Sequence, residues 1–304
     1  MTKAKYLIIT IFTMVMLFLI PSISNAATEY TYSDTKQGIE WSYKLDSSNN
    51  VINLRCKTTS KIGSVTIPST IDGKTVISLS GSYDTGAFQN CPGITNVTIP
   101  NTISIIGSHA FQNCTGLKSI TIPDSVIGIR GYAFEGCSGI TTVTLSNNLT
   151  SIDNNAFNGC SGLKSLTIPN SVTTIGEGAF RNCSGLKSLT LSKNLSKLSR
   201  ESFEGCKGLT SVVLPDSVTT IEGTGIAVYG AFDNCVNLTK LLIPDSVASI
   251  GSNAFRGCKK LTIYGNDGSA AKEYAESNGI SFDYIANWDK KSSGTDITAP
   301  TVKS

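Results

Sequence analysis

The fold of this 304-residue chain is decided by the stretch SGLKSLTIPNSVTTIGEGAFRNC, residues 161–183. Nearly the same 23 residues recur on either side of it, and each copy ends in Phe-x-x-Cys. Successive cysteines of this motif are 23 residues apart, except for one step of 29. A period this strict predicts a solenoid, in which one supersecondary unit stacks on copies of itself. The ladder residues, as we call the phenylalanine and cysteine of each copy, are Phe88 and Cys91, Phe111 and Cys114, Phe134 and Cys137, Phe157 and Cys160, Phe180 and Cys183, Phe203 and Cys206, Phe232 and Cys235, and Phe255 and Cys258.

Each copy contains two short runs in which apolar and polar residues alternate, as they do in β-strands with one buried face. In the first run Leu166 and Ile168 are expected to point inward. Ser165 and Thr167 are then expected to face solvent. Pro169 ends this strand, because proline lacks the N–H group that a continuing ladder would use. We therefore predict a β-dominated solenoid of about eight 23-residue coils with a parallel sheet.

The ladder residues are expected to be structural. Equivalent Cα atoms of stacked coils lie about 4.8 Å apart with parallel side chains. Disulfide-bonded cysteines instead bring their Cβ atoms to about 3.8 Å. The regular spacing therefore predicts eight buried free thiols beside a column of stacked phenylalanines. Cys56 lies outside the ladder and has no obvious partner.

The ends of the chain break the repeat. Residues 1–26 combine Lys3 and Lys5 with an apolar run and a small-x-small site before Ala27, which predicts a removed secretory signal; an uncleaved anchor is the alternative. Trp41 and Tyr43 lie in an alternating segment expected to cover the first coil. The predicted organisation is a signal at 1–26, an N-terminal β cap at 27–62, the solenoid at 63–264, a C-terminal cap at 265–285 with a helix at 269–278 plus a strand, and a disordered tail at 286–304.

Composition excludes several function classes. The formal net charge is only +3, which gives no overall field to steer the chain onto nucleic acid or anionic lipid. His109 is the single histidine, and the sequence holds no metalloprotease, nucleophile-elbow or phosphate-loop motif. We therefore expect no enzyme activity, no metal and no cofactor. We also expect a monomer that does not stay in the membrane once the signal is cleaved.

Candidate binding residues lie where the repeat changes. Two copies carry insertions before the ladder phenylalanine, at 80–86 with Tyr83 and Asp84 and at 222–230 with Tyr229. Insertions in solenoids emerge as surface loops and often mark a binding side, although neutral loop drift is an alternative. On the outward strand positions Val213 and Leu242 replace the usual threonine. We expect this apolar pair, with Lys240 and the Tyr229 loop near it, to be the part of the sheet best suited to binding.

The repeated pattern Leu-x-x-Leu-x-Ile-Pro-x-Ser-Val-x-x-Ile-Gly-x-x-Ala-Phe-x-x-Cys resembles the BspA-like leucine-rich repeats, also called the Treponema pallidum type. The match extends from about Val65 to Ile263. The resemblance implies a curved, right-handed solenoid on a secreted or surface-held bacterial protein. It also implies an adhesin-like role, with an extracellular protein or glycoprotein as the partner. The segment 296–302 is similar to the run that opens bacterial immunoglobulin-like modules.

A second functional class stays open at this point. The solenoid would be a passive spacer or scaffold if its only role were to present a neighbouring module. A spacer should tolerate deletion of one internal coil, such as 160–182, without loss of partner binding, whereas a binding module should not.

Overall fold

The repeated 23-residue unit stacks into a parallel β-solenoid of about nine turns. The computed structural model describes residues 28–58, 63–79, 86–223 and 229–289. The predicted signal peptide lies outside the described residues, as does the tail from residue 290 onward. Among the helices that the structure describes, none is long and apolar enough to cross a membrane.

One side of the solenoid, face A, is formed by the strands that follow the ladder cysteines. They pair in parallel and in register, so that Leu166 lies beside Leu189 of the next coil. Leu166 is buried whereas Ser165 and Thr167 are exposed, which is the alternation expected from the sequence. The face A strands are Gly63–Thr66, Ile94–Thr98, Ser119–Thr121, Thr142–Thr144, Ser165–Thr167, Ser188–Thr190, Ser211–Val213, Lys240–Leu242 and Thr262–Gly265.

A second side, face B, carries a two-residue strand from each coil. These strands also pair in parallel, with Ile152 beside Ile129 and Ile175. Each strand buries the aliphatic residue that precedes the corner of its coil, except that Ile250 is half-buried. The face B strands are Ser78–Leu79, Ile105–Ile106, Gly128–Ile129, Ser151–Ile152, Thr174–Ile175, Lys197–Leu198, Thr220–Ile221 and Ser249–Ile250.

The third side is the turn that contains Phe-x-x-Cys. Its backbone is also bonded from coil to coil, since Phe157 donates its N–H to the Ala179 carbonyl at 2.7 Å. The residue before each ladder cysteine has a positive φ, such as 60° at Asn113 and 74° at Gly159. Only glycine and, at lower frequency, asparagine adopt this conformation readily. The alternation of Asn and Gly at this position therefore follows from the backbone of the turn.

The ladder phenylalanines form one continuous stack inside the solenoid. Neighbouring ring centroids are 4.9 to 6.0 Å apart, with interplanar angles of 22° or less. Trp41 of the N-terminal cap closes one end of the stack edge-on at 5.6 Å. Tyr274 of the C-terminal cap closes the other end in the same way, at 5.6 Å. Both caps thus extend the aromatic column and shield its last rings.

The ladder cysteines lie beside this column as buried free thiols. From Cys114 onward each Sγ donates to the carbonyl of the ladder phenylalanine one coil earlier, as Cys160 does to Phe134 at 3.2 Å. Burial raises the pKa of the Cys183 thiol to about 12, so the thiol stays protonated at neutral pH and keeps its hydrogen bond. Cys56 is also free, and it is only partly buried.

The N-terminal cap is an antiparallel meander of Tyr30–Asp34, Ile39–Leu45 and Val51–Cys56. Trp41 and Tyr43 are buried in it, which makes them packing residues. The Gln37 side chain accepts from the Thr66 N–H at 2.7 Å and donates to the Thr66 carbonyl at 2.8 Å. Gln37 thereby satisfies the backbone hydrogen-bonding groups of Thr66 at the edge of the first face A strand that has no neighbouring strand. A small antiparallel pair, Thr70–Ile71 with Lys74–Thr75, follows that strand.

The C-terminal cap is a β-α-β unit. Helix Ala270–Ser277 begins after its N-cap Ser269 and leads to strand Ser281–Tyr284, which pairs in parallel with Thr262–Gly265. The chain then folds back as the 3₁₀ helix Ile285–Asn287. Residues 286–289, expected in a disordered tail, are instead ordered. The reason is that Trp288 packs edge-on against Tyr264, with ring centroids 5.0 Å apart.

Ser202 is a local defect in the core. Seven coils have alanine before the ladder phenylalanine, whereas this coil has Ser202, whose buried Oγ has no hydrogen-bond partner. Replacing Ser202 with alanine should raise the free energy of unfolding by about 1 kcal/mol, because an unsatisfied buried hydroxyl is removed. Urea denaturation followed by circular dichroism would measure the change.

Ser199 supplies the matched control. Its buried Oγ donates to the Ile175 carbonyl at 2.7 Å, so Ser199→Ala should destabilise the protein by about 1 kcal/mol. If Ser202→Ala were destabilising as well, the Ser202 hydroxyl would have a stabilising partner and the expectation would be wrong.

Candidate binding groove

An open groove runs along the corner that follows face B. Its volume is about 830 Å³, and it spans the coils from Ser108 to Gly223. Buried Ile152 and Ile175 contribute to its floor, together with Gly131 and Gly176. Glycine at this corner allows neighbouring coils to approach closely, because a Cβ at Gly176 would lie 2.5 Å from the backbone nitrogen of Asn154 in the preceding coil. The groove is therefore formed by the stacked coils, each of which contributes one corner.

Charged side chains along the groove pair from one coil to the next. Arg130 and Asp153 are 3.4 Å apart, and Lys197 and Glu222 are 2.7 Å apart. Arg200 and Glu177 form a third ion pair across neighbouring coils. These pairs are partly exposed, so each contributes little to stability. Their main effect is to place positive and negative side chains next to each other along one surface.

The end of the groove nearest the N-terminus carries two aromatic side chains. The rings of His109 and Tyr132 are stacked with centroids 5.0 Å apart. Both residues have a positive φ, 57° and 60°, which is unfavourable for bulky side chains. Tyr132 is nevertheless 38% exposed. The equivalent residues Asn155, Gly178 and Glu201 also have a positive φ, so this conformation belongs to the repeat, and the exposed ring of Tyr132 is what distinguishes this end of the groove.

Both insertions meet the solenoid at the ends of this groove. A Cβ at Gly86, the last residue of the first insertion, would lie 1.7 Å from the His109 carbonyl oxygen, so its backbone lies directly against the aromatic end. Glu222 and Gly223, the first residues of the second insertion, line the opposite end. The described end residues of the two insertions therefore lie at opposite ends of one and the same groove.

The second insertion is anchored through Tyr229. The guanidinium groups of Arg181 and Arg256 lie 5.2 and 4.8 Å from the centre of its ring. Cation–π contacts of this kind stabilise by roughly 0.5–2 kcal/mol each. The two arginines thus hold the end of the insertion against the Phe-x-x-Cys turns of two coils.

Buried carboxylates hold the two arginines in place. Arg256 pairs with Asp233 at 2.7 Å, and Arg181 pairs with Glu204 at 2.8 Å. Asp233 is fully buried and Glu204 is nearly so. Burial raises the pKa of both carboxyl groups, and the facing arginines oppose that shift. The anchor of the insertion is therefore electrostatic, and it is partly shielded from solvent.

A family model for the BspA type leucine-rich repeat region matches residues 82–209 and 224–266 in six copies. The chain belongs to the BspA-type leucine-rich repeat family. Leucine-rich repeat proteins typically bind other proteins on a non-enzymatic repeat scaffold. A search of curated proteins found no match.

Two solved structures show the same fold. A leucine-rich repeat protein of T. pallidum is 24% identical, with a TM-score of 0.53, over 80% of this chain and 95% of its own. A leucine-rich repeat protein from Bacteroides ovatus is 26% identical, with a TM-score of 0.54, over 81% of this chain and 75% of its own. The leucine-rich repeat fold is therefore shared with these solved structures.

The candidate residues that the structure describes lie on two parts of the coil, face A and the Phe-x-x-Cys turn. Tyr83 and Asp84 lie outside the described residues. Val213 and Leu242 are direct neighbours on adjacent face A strands, and both are half-buried. Tyr229 contacts arginines of the turn before the ladder cysteine, whereas Val213 and Leu242 belong to the strand after it.

Lys240 is already engaged by the C-terminal segment. Its Nζ donates to the Trp288 carbonyl at 3.3 Å and lies over the rings of Tyr264 and Trp288, at 5.8 and 5.6 Å. Among the described residues, no group of three or more His, Cys, Asp and Glu side chains is placed to hold a metal ion.

Sequence reasoning missed most of the groove. Arg130 and Asp153 occupy the same position in neighbouring copies, as do Glu177 and Arg200. A search for opposite charges 23 residues apart would have found them, since that spacing places two residues on adjacent coils. His109 and Tyr132 show the same spacing, and only their aromatic character marks them.

Proposed function

We propose that this protein is a secreted or surface-held adhesin-like module that binds an extracellular protein partner in the groove between its two insertions. The observation that carries the proposal is the position of the insertions, which reach the solenoid at opposite ends of one groove. Binding loops on a rigid scaffold are the usual arrangement for variable recognition. The apolar run near the N-terminus supports secretion.

The chemistry of the groove fits a protein partner. A polypeptide offers backbone amides, charged side chains and apolar groups together, and the groove offers paired charges, exposed Tyr132 and an aliphatic floor. Because the groove presents both acidic and basic side chains, it can offer a charge partner to either kind of ionised side chain on a polypeptide. Val213 and Leu242 stay a separate predicted contact on face A, where partly exposed apolar side chains suit a protein surface.

Blocking the groove should abolish binding. Thr174 is exposed on face B and lines the groove at its middle. Thr174→Trp places a bulky side chain there and should weaken partner binding by roughly tenfold or more, which corresponds to at least about 1.4 kcal/mol. The measurement is surface plasmon resonance of the purified protein over immobilised extracellular-matrix glycoproteins and mucins.

Thr31 is the control, because it is an exposed threonine on a strand of the N-terminal cap and lines neither the groove nor face A. Thr31→Trp should leave binding to the protein partner unchanged. Equal losses in both variants would contradict the groove as the binding surface. Absence of saturable binding by the folded wild-type protein would instead favour the spacer.

A further inference from the structure

Face A has a one-sided charge distribution that the net charge conceals. The sequence contains 22 Asp and Glu residues, yet none lies between a ladder cysteine and the end of the strand that follows it. Seven lysines lie in those same segments of the repeats. The sequence holds only 25 basic residues, so this accumulation leaves the remaining surface correspondingly poorer in positive charge.

Six of these lysines form a surface that we call the basic edge. All six are exposed, and none belongs to an ion pair in the part of the chain that the structure describes. The seventh, Lys240, is excluded because it is bound to the Trp288 carbonyl. The basic edge consists of Lys118, Lys164, Lys187, Lys207, Lys259 and Lys260.

The stack places Lys118, Lys164 and Lys187 at the same position of their coils, whereas Lys207, Lys259 and Lys260 lie two or three residues earlier in theirs. The Lys187 N–H donates to the Lys164 carbonyl at 2.9 Å, so these two lysines occupy adjacent coils. Thr141 connects Lys164 to Lys118 through hydrogen bonds of 3.3 and 2.9 Å. Adjacent coils are spaced by about 4.8 Å. Lys164 and Lys187, on adjacent coils, can therefore lie within the Debye length of about 8 Å at physiological ionic strength, so that their fields add. Lys118 lies two coils, or about 10 Å, from Lys164.

Exposed hydroxyl groups lie beside the basic edge. The outward residues of the central face A strands are serine or threonine, and they are exposed. These strands have no aromatic residue on which a nucleic-acid base could stack. The hydroxyl-bearing residues are Ser119, Thr121, Thr142, Thr144, Ser165, Thr167, Ser188 and Thr190.

Several carboxylates of the repeats are neutralised by ion pairs away from the basic edge. Asp153, Glu177 and Glu222 lie at the corner after face B, and each is paired with a basic residue of a neighbouring coil. Glu204 and Asp233 lie on the Phe-x-x-Cys turn and pair with arginines.

Asp124, Asp216 and Asp245 are exposed and belong to none of the ion pairs of the described residues, but they follow face A strands, whereas the lysines of the basic edge precede such strands. At the end of face A where the basic edge lies, the described residues therefore place no carboxylate beside the lysines.

We propose that face A binds a linear sulfated polysaccharide along the solenoid axis. Such a polymer carries many anionic groups along its length, which can contact the lysines that several coils present along the solenoid. Its hydroxyl and ring oxygens can exchange hydrogen bonds with the serine and threonine hydroxyls between the lysines. This surface is separate from the groove, so the proposal does not depend on the protein-binding function.

The test uses heparin as the probe. The triple variant Lys118→Gln, Lys164→Gln, Lys187→Gln should bind immobilised heparin roughly 10- to 100-fold more weakly than the wild type at about 0.15 M salt. The slope of log affinity against log salt should become shallower by roughly two to three, because fewer counterions are released. The control triple Lys36→Gln, Lys44→Gln, Lys57→Gln removes the same charge from the N-terminal cap and should keep the wild-type affinity. Circular dichroism and thermal melting verify that both variants are folded.

The proposal would be overturned if the wild type showed no saturable heparin binding, or if the control triple lost as much affinity as the test triple. It would also be overturned if double-stranded DNA bound as tightly as heparin or more tightly, because face A would then be a general polyanion surface. Heparin binding that hyaluronan, which carries carboxylates only, does not compete away would support recognition of sulfate. Thr174→Trp should leave heparin binding intact, so failure of the groove proposal and failure of this one are distinguishable.

Discussion

Replacing Phe157 with alanine should lower the free energy of unfolding by about 4 kcal/mol. Phe157 is fully buried at the middle of the phenylalanine stack, 4.9 Å from the Phe134 ring and 5.4 Å from the Phe180 ring. Truncation of a buried phenylalanine costs roughly 3–5 kcal/mol, because transfer energy is lost and a cavity remains. Here both faces of the ring lose an aromatic partner, which contributes about 0.5–1.5 kcal/mol for each pair.

The position of the substituted coil in the array matters as much as the free energy that the substitution costs. In a solenoid each coil contacts only its neighbours, so a weak coil in the middle divides the array into two parts. We therefore expect the urea transition of Phe157→Ala to broaden as well as to move to lower urea. Phe157→Leu keeps most of the volume and should cost less than about 1.5 kcal/mol. A loss below about 1.5 kcal/mol for the alanine variant itself would show that the stack is not the main stabilising element.

Replacing Gly162 with alanine should destabilise the protein by about 3 kcal/mol. A Cβ at Gly162 would lie 2.5 Å from the Ser138 carbonyl oxygen and 2.7 Å from the Ile140 carbonyl oxygen. Both atoms belong to the backbone of the preceding coil and cannot rotate away. Overpacking of this kind typically costs about 1–3 kcal/mol. We expect the upper end of that range, because relief requires the two coils to separate.

Gly128 provides the control, because it occupies a face B strand and a Cβ there would meet Ile105 Cδ1 at 3.4 Å. Gly128→Ala should therefore be neutral or stabilise the protein by up to about 1 kcal/mol, since the added methyl group makes ordinary contact and the unfolded chain loses entropy. Urea denaturation of both variants decides the matter. If Gly162→Ala were as stable as Gly128→Ala, the coils could separate locally at little cost.

Much of the fold follows from the repeat itself. The alternation around Leu166 predicts a strand with one buried face, and the constant spacing of the ladder residues predicts the phenylalanine stack and the free thiols. Trp41 and the helix after Ser269 also mark the two caps correctly in outline. These features are accessible from sequence because each depends on local periodicity or on contacts exactly one coil away.

The groove and the basic edge depend on the tertiary structure. Arg130 meets Asp153, and Tyr132 meets His109, only because stacking brings residues 23 positions apart into contact. The rings and guanidinium groups of Tyr229, Arg181 and Arg256 also meet only in the folded chain. The sequence by itself therefore determined the stack, its core and its caps, since a repeated pattern of burial has only one way to be satisfied. The tertiary structure decided which exposed side chains lie next to one another. The direction of each side chain depends on the backbone angles at the turns and on the packing between coils.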